Sequence, residues 1–104
     1  MTSYKVYLSE NAEADLREII RYVALQFRTP LTAQKMLEAF EKAIGSLSEM
    51  PQRCPLVSDR YLADMQYRKL IVRNHIVFFI IDEESTTVNV ERILHSRRDW
   101  SRIL

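Results

Sequence analysis

The chain has 104 residues, enough for one domain (1–104), and its 47% apolar and 28% charged side chains describe a packed globular unit rather than a disordered one. A net charge of +1 does not announce a nucleic-acid binder, and the single glycine, Gly45, excludes glycine-rich phosphate loops, dinucleotide fingerprints and nucleophile elbows. The lone cysteine, Cys54, excludes an intramolecular disulfide and a Cys-based zinc site.

Residues 4–8 (YKVYL) alternate, with Tyr4, Val6 and Leu8 on one side, and predict a strand. Ser9 is placed to cap a helix, with Glu10, Glu13 and Asp15 at its positive end. Leu16, Ile19, Ile20, Val23 and Phe27 follow at helical spacing. Thr29-Pro30 closes this helix and opens the next, with Thr29 as cap and proline at the first helical position. The second stripe is Ala33, Met36, Leu37, Phe40, Ile44 and Leu47, so the two helices form a hairpin.

Residues 51–66 hold two prolines and a scattered apolar set (Leu56, Val57, Tyr61, Leu62, Met65), which predicts an ordered loop pinned by those side chains. Strands are predicted over 68–73, 75–81 and 87–94, with the acidic turn 82–85 between the last two. The run HIVFFII is apolar on both faces and reads as a central strand. Leu70 and Val72 are expected to face the helices, with Lys69, Ile71 and Arg73 opposite. In the last strand Val88, Val90 and Leu94 are expected inward, with Asn89, Glu91, Ile93 and His95 opposite. The tail, 96–104, is basic with apolar anchors at Trp100, Ile103 and Leu104. This order predicts an α+β fold: an N-terminal strand, then a helical hairpin packed on one face of an antiparallel sheet ending in a three-strand meander. The other face, mixing basic and apolar groups, is the expected docking surface. The longest apolar run, 76–81, is too short to span a bilayer, and the N-terminus lacks a signal-peptide core, so a cytoplasmic protein with no membrane partner is expected.

Arginine supplies 11 of the 15 basic residues, and residues 1–52 carry a net −1 against +2 for 53–104. Arg68, Arg73, Arg92, His95, Arg97, Arg98 and Arg102 gather near strand ends. As a cluster they are a candidate phosphate- or acid-binding surface, since guanidinium groups bind phosphate bidentately and stack on bases. Singly, each reads first as a solvated charge or a partner of Glu91, Asp99 or Asp64. His75, at the start of the central strand, reads as structural. His95, just before Arg97-Arg98, is better placed for chemistry: an imidazole moves protons near neutral pH, and guanidinium groups stabilise a pentavalent phosphate. That set suffices to cleave RNA through its own 2′-hydroxyl without a metal; a capping or ion-pair role with Asp99 stands beside it. Two histidines without close-set carboxylates give no metal site, no cofactor is expected, and Cys54, with no base beside it, is incidental.

Three stretches, YKVYLSENAEADLREIIRYV (4–23), YRKLIVRNHIVFFIID (67–82) and VERILHSRRDWSRIL (90–104), taken in this order and spacing, resemble toxins of the RelE/ParE superfamily from type II toxin–antitoxin systems. The resemblance implies a growth-inhibiting toxin of a plasmid-stabilisation type module, neutralised by a cognate antitoxin. RelE-like members are ribosome-dependent mRNA endonucleases; ParE-like members poison DNA gyrase. RNHIVFF and ILHSRRDW resemble the ParE pattern more closely. On the RNase alternative Arg68 and Arg73 hold the scissile phosphate and His95 shuttles the proton, although the tail offers Trp100 where that branch often has a tyrosine. On the gyrase alternative Arg92, Arg97, Arg98 and Trp100 form a binding surface. A degenerate, non-toxic binding module is the third alternative. All three share an antitoxin expected to cover the polar sheet face and bring acidic side chains to the arginines.

Overall fold

The alternation of residues 4–8 and the helical stripes behind it are realised in a computed structural model that describes residues 3–104. The expectation of no leader rests in part on residues 1–2, outside that range. Strand β1 (Lys5–Leu8) is followed by helices α1 (Glu10–Phe27) and α2 (Pro30–Gly45), a one-turn helix α3 (Arg60–Asp64), strands β2 (Arg68–Val72), β3 (His75–Asp82) and β4 (Thr87–His95), and a last helical turn α4 (Trp100–Ile103). No helix among the described residues is long and apolar enough to cross a membrane.

The α+β class and the meander are as expected, but the sheet is mixed rather than antiparallel. Its order is β1-β4-β3-β2, with β1 parallel to β4 and the other pairs antiparallel. Two crossing helices carry the chain over the sheet before it returns, which allows a parallel pairing that a short turn does not.

Ser9 starts α1 as predicted: its hydroxyl oxygen accepts from the Ala12 N–H at 3.0 Å and donates to the Glu91 carbonyl at 2.7 Å, joining helix to sheet. Arg28 ends the helix in the left-handed region, at φ 51°. Thr29 takes the extended backbone required before proline, but its hydroxyl makes no cap bond; the Pro30 ring sets the start of α2 instead. The expected loop over 51–66 contains a 3₁₀ turn at Pro51–Arg53 and α3, capped by Asp59, whose carboxylate accepts from the Leu62 N–H at 3.1 Å. Val57 and Leu62 are its buried pins, while Tyr61 points to solvent.

The helical hairpin covers one sheet face. Phe40, Ile44 and Leu47 pack there with Val72, Val77, Phe79, Val88, Val90 and Ile93. The opposite face is not the polar surface expected from the sequence. Ile76, Phe78 and Leu94 form a second apolar cluster there with Val57, Leu62 and Tyr67, and Trp100, Ile103 and Leu104 of the tail close over it.

One irregularity explains the misplaced side chains of β4. Phe79 pairs with Val90 but Phe78 pairs with Arg92, so Glu91 is an extra residue, a β-bulge. An added residue inverts the alternation beyond it. Ile93 therefore joins the helix-side cluster and Leu94 the other, the reverse of the simple alternation.

Candidate functional site

The same bulge brings the two histidines together. It sets His75 opposite His95, and their rings meet edge to face with centroids 5.2 Å apart. Both lie on the helix side of the sheet, where His75 also edges against Phe40 of α2 at 5.6 Å. Arg73 occupies the two-residue turn between β2 and β3 at φ 55°, which swings its side chain toward α2, 3.8 Å from Met36 Sδ, rather than to the opposite face. A cleft of about 490 Å³ results, walled by Ile19, Tyr22, Val23, Phe27 and Met36. Its polar groups include Glu18, Thr32, Arg73, Asn74, His75 and His95.

Each imidazole has a defined state. His75 Nδ1 is buried without a hydrogen-bond partner, and burial, helped by the adjacent His95, holds the ring below its usual pKa. It is therefore neutral at neutral pH. His95 Nδ1 accepts from the Arg97 N–H at 3.1 Å, so a neutral His95 carries its proton on Nε2.

The remaining candidates lie elsewhere. Arg68 pairs with Phe79, four positions from the Val72–His75 end of the hairpin, which is about 13 Å along the strand. Its guanidinium donates to the Cys54 and Gln52 carbonyls at 2.6 and 3.2 Å, fastening the 51–55 segment. Arg92 donates Nε–H and Nη2–H to Asp15 at 2.7 and 2.9 Å, so a partly buried pair ties α1 to β4. Arg97 and Arg98 are exposed. Asp99 faces Arg102 at 3.1 Å and Ser101 at 2.7 Å. Trp100 stacks obliquely on Phe78, 5.3 Å between centroids, as part of the second cluster. Burial pushes the Cys54 thiol up against the opposing pull of Arg53 and Arg68, which keeps it protonated.

Sequence reasoning missed Asp15 as an anchor and His75 as a wall of the cleft. Asp15 stood among helix-start acids whose dipole role accounted for it. His75 needed the bulge, which no single residue signals. Tyr22, Leu25, Phe27 and Leu31, at the tip of the helical hairpin, are each more than half exposed, so Phe27, which continues the apolar stripe of α1 in the sequence, is not buried with it.

The helical hairpin on a mixed sheet is the fold of the RelE/ParE superfamily of type II toxins. A chain of the chromosomal ParDE toxin–antitoxin system from P. aeruginosa superposes with a TM-score of 0.74 at 14% identity, over 91% of this chain and 98% of that one. The RelBE2 toxin–antitoxin complex from Mycobacterium tuberculosis gives a TM-score of 0.62 at 22% identity, over 89% and 98%. No curated protein matches the chain significantly. The family model for the ParE toxin of the parDE type II toxin–antitoxin system matches residues 6–100, and the chain belongs to that family.

Proposed function

We propose that this ParE-type toxin inhibits growth by binding DNA gyrase rather than by cutting mRNA, and that a cognate antitoxin neutralises it. The separation of Arg68 from Arg73 and His95 carries this reading. A metal-free RNase needs its phosphate-holding cations and its proton carrier around one phosphate. Here Arg68 is engaged with loop carbonyls about 13 Å along the sheet from the histidines. The state of His95 supports the same conclusion. With Nδ1 occupied by the Arg97 N–H and Nε2 protonated, the neutral ring has no free lone pair to take a proton from a 2′-hydroxyl.

Arg97, Arg98 and Arg102 on the tail then act as target-facing charges, with Trp100 holding the tail in place. Two toxin–antitoxin complexes of this fold make an antitoxin the expected partner. Its natural seat is the exposed apolar tip of the helical hairpin, since the second sheet face is already covered.

The ribosome-dependent RNase is the second reading. It is favoured by one observation, that Arg73 and His95 share a cleft. Purified protein added to gyrase and relaxed plasmid is expected to abolish supercoiling, with His95→Ala within a few-fold of wild type, and to leave ribosome-bound mRNA intact. Cleavage of that mRNA, lost by orders of magnitude in His95→Ala, overturns the gyrase reading.

A further inference from the structure

The segment 96–104 leaves the end of β4 and lays Trp100, Ile103 and Leu104 across Ile76, Phe78 and Leu94. It is a strap over the second apolar cluster, and its departure from the sheet is fixed at one corner. The Ser96 N–H donates to the Asn74 carbonyl at 2.9 Å, and the Arg98 N–H to the His95 carbonyl at 3.0 Å. The Arg97 N–H donates to His95 Nδ1 at 3.1 Å. Of these three acceptors two are amide carbonyls and one is an imidazole nitrogen, the kind of acceptor that protonation turns into a donor. Further out, the strap has the Asp99–Arg102 pair, both members well exposed and of little holding strength.

We propose that His95 is a proton-operated latch: neutral, it holds the turn that seats the strap, and protonated at Nδ1 it lets the strap lift from the sheet. A proton on Nδ1 replaces an acceptor with a donor, so two N–H groups face each other where one hydrogen bond stood. The charged and titratable groups around the ring come from every neighbouring element. β3 presents His75, the β2–β3 turn Arg73 and α1 Glu18; the strap presents the Arg97 backbone N–H, and α2 presents Met36 and Thr32, which do not ionise. Two of those three ionisable side chains are cationic or become so in acid, and Glu18 is the one carboxylate. A ring protonated at Nδ1 therefore turns an N–H against the Arg97 N–H, and it relieves that clash by moving with the strap. Lifting the strap uncovers Phe78 and Leu94 and frees the basic tail. The latch stands on this geometry alone; its effect on target engagement rests on the target-facing role proposed above for the tail.

Trp100 is the chain's single tryptophan, so its emission reports whether the strap is seated. The test follows the full chain from pH 8 to pH 5 by fluorescence, amide exchange and imidazole NMR. The expected result is a red shift of Trp100 and about fivefold faster exchange at Arg97, Arg98 and Trp100, corresponding to one lost hydrogen bond. Both changes should share the midpoint of the His95 titration, with far-UV circular dichroism unchanged. His95→Asn sets Oδ1 where Nδ1 stood, accepts from the Arg97 N–H and does not titrate, so its strap should stay seated across the range. A flat Trp100 signal through the His95 titration, a midpoint that follows His75, or an unchanged transition in His95→Asn overturns the proposal. Should His95→Asn misfold, the comparison of midpoints in the wild-type chain decides alone. None of these readouts involves gyrase or ribosomes, so failure here and failure of the target assignment are separate results.

Discussion

Asp15 does more than begin a helix. Its carboxylate accepts two N–H groups of Arg92 and the Ile93 backbone N–H at 2.9 Å, all at a site where its side chain is 14% exposed. Removing it leaves a guanidinium and an amide without their acceptor in a largely dry corner. Asp15→Ala is expected to lose about 2 kcal/mol in chemical denaturation, and Arg92→Ala a comparable amount. If Arg92→Ala is instead fully stable but inactive, the residue works at the target surface. His75 gives the chain a pH dependence of definite sign. Its folded pKa lies below the ordinary 6.5, so in acid the unfolded chain takes up a proton that the folded chain refuses. Stability attributable to this ring is complete above about pH 6.5, declines below it, and stops declining once pH passes the folded value. Denaturant midpoints measured from pH 8 to pH 5 should fall in wild type more than in His75→Phe, and equal slopes contradict the account.

The elements with their own periodicity were legible in the sequence. Both helices, the Ser9 cap, the first strand and the meander follow from spacing and turn chemistry alone. What was not legible depends on pairing. A plain hairpin closing at Asp82 and Thr87 sets His75 against Leu94; the bulge at Glu91 moves the partner to His95 and exchanges the faces of Ile93 and Leu94. A bulge is a property of two strands together, and Glu91 carries no glycine or proline to mark it. The Ser9 hydroxyl connects to this irregularity, since it caps α1 and also donates to the Glu91 carbonyl. Ser9→Ala is therefore expected to cost about 2 kcal/mol, against about 1 kcal/mol for Asp59→Ala, whose carboxylate caps only the single turn of α3. Equal losses from the two substitutions in parallel denaturation experiments would remove the Glu91 bond from the account.

At the scale of the molecule, the sheet is covered on both sides. The helical hairpin takes one face, and residues between 57 and 67 together with the tail take the other. The sequence reading left that second face open because Val57, Leu62 and Trp100 each looked like an isolated anchor, and only their convergence on Phe78 makes a core. This cover moves the available interaction surface to the hairpin tip, the histidine cleft and the arginines of the tail. Arg68, held by the Gln52 and Cys54 carbonyls, lies outside the cleft that holds Arg73 and His95, the arrangement on which the assignment of target depends. The most direct measurement is pulse labelling of bacteria after induction of the protein, with thymidine and methionine incorporation followed in parallel. The gyrase assignment predicts that thymidine incorporation falls first and that His95→Ala still produces the fall. A collapse of methionine incorporation ahead of thymidine, abolished by His95→Ala, contradicts it.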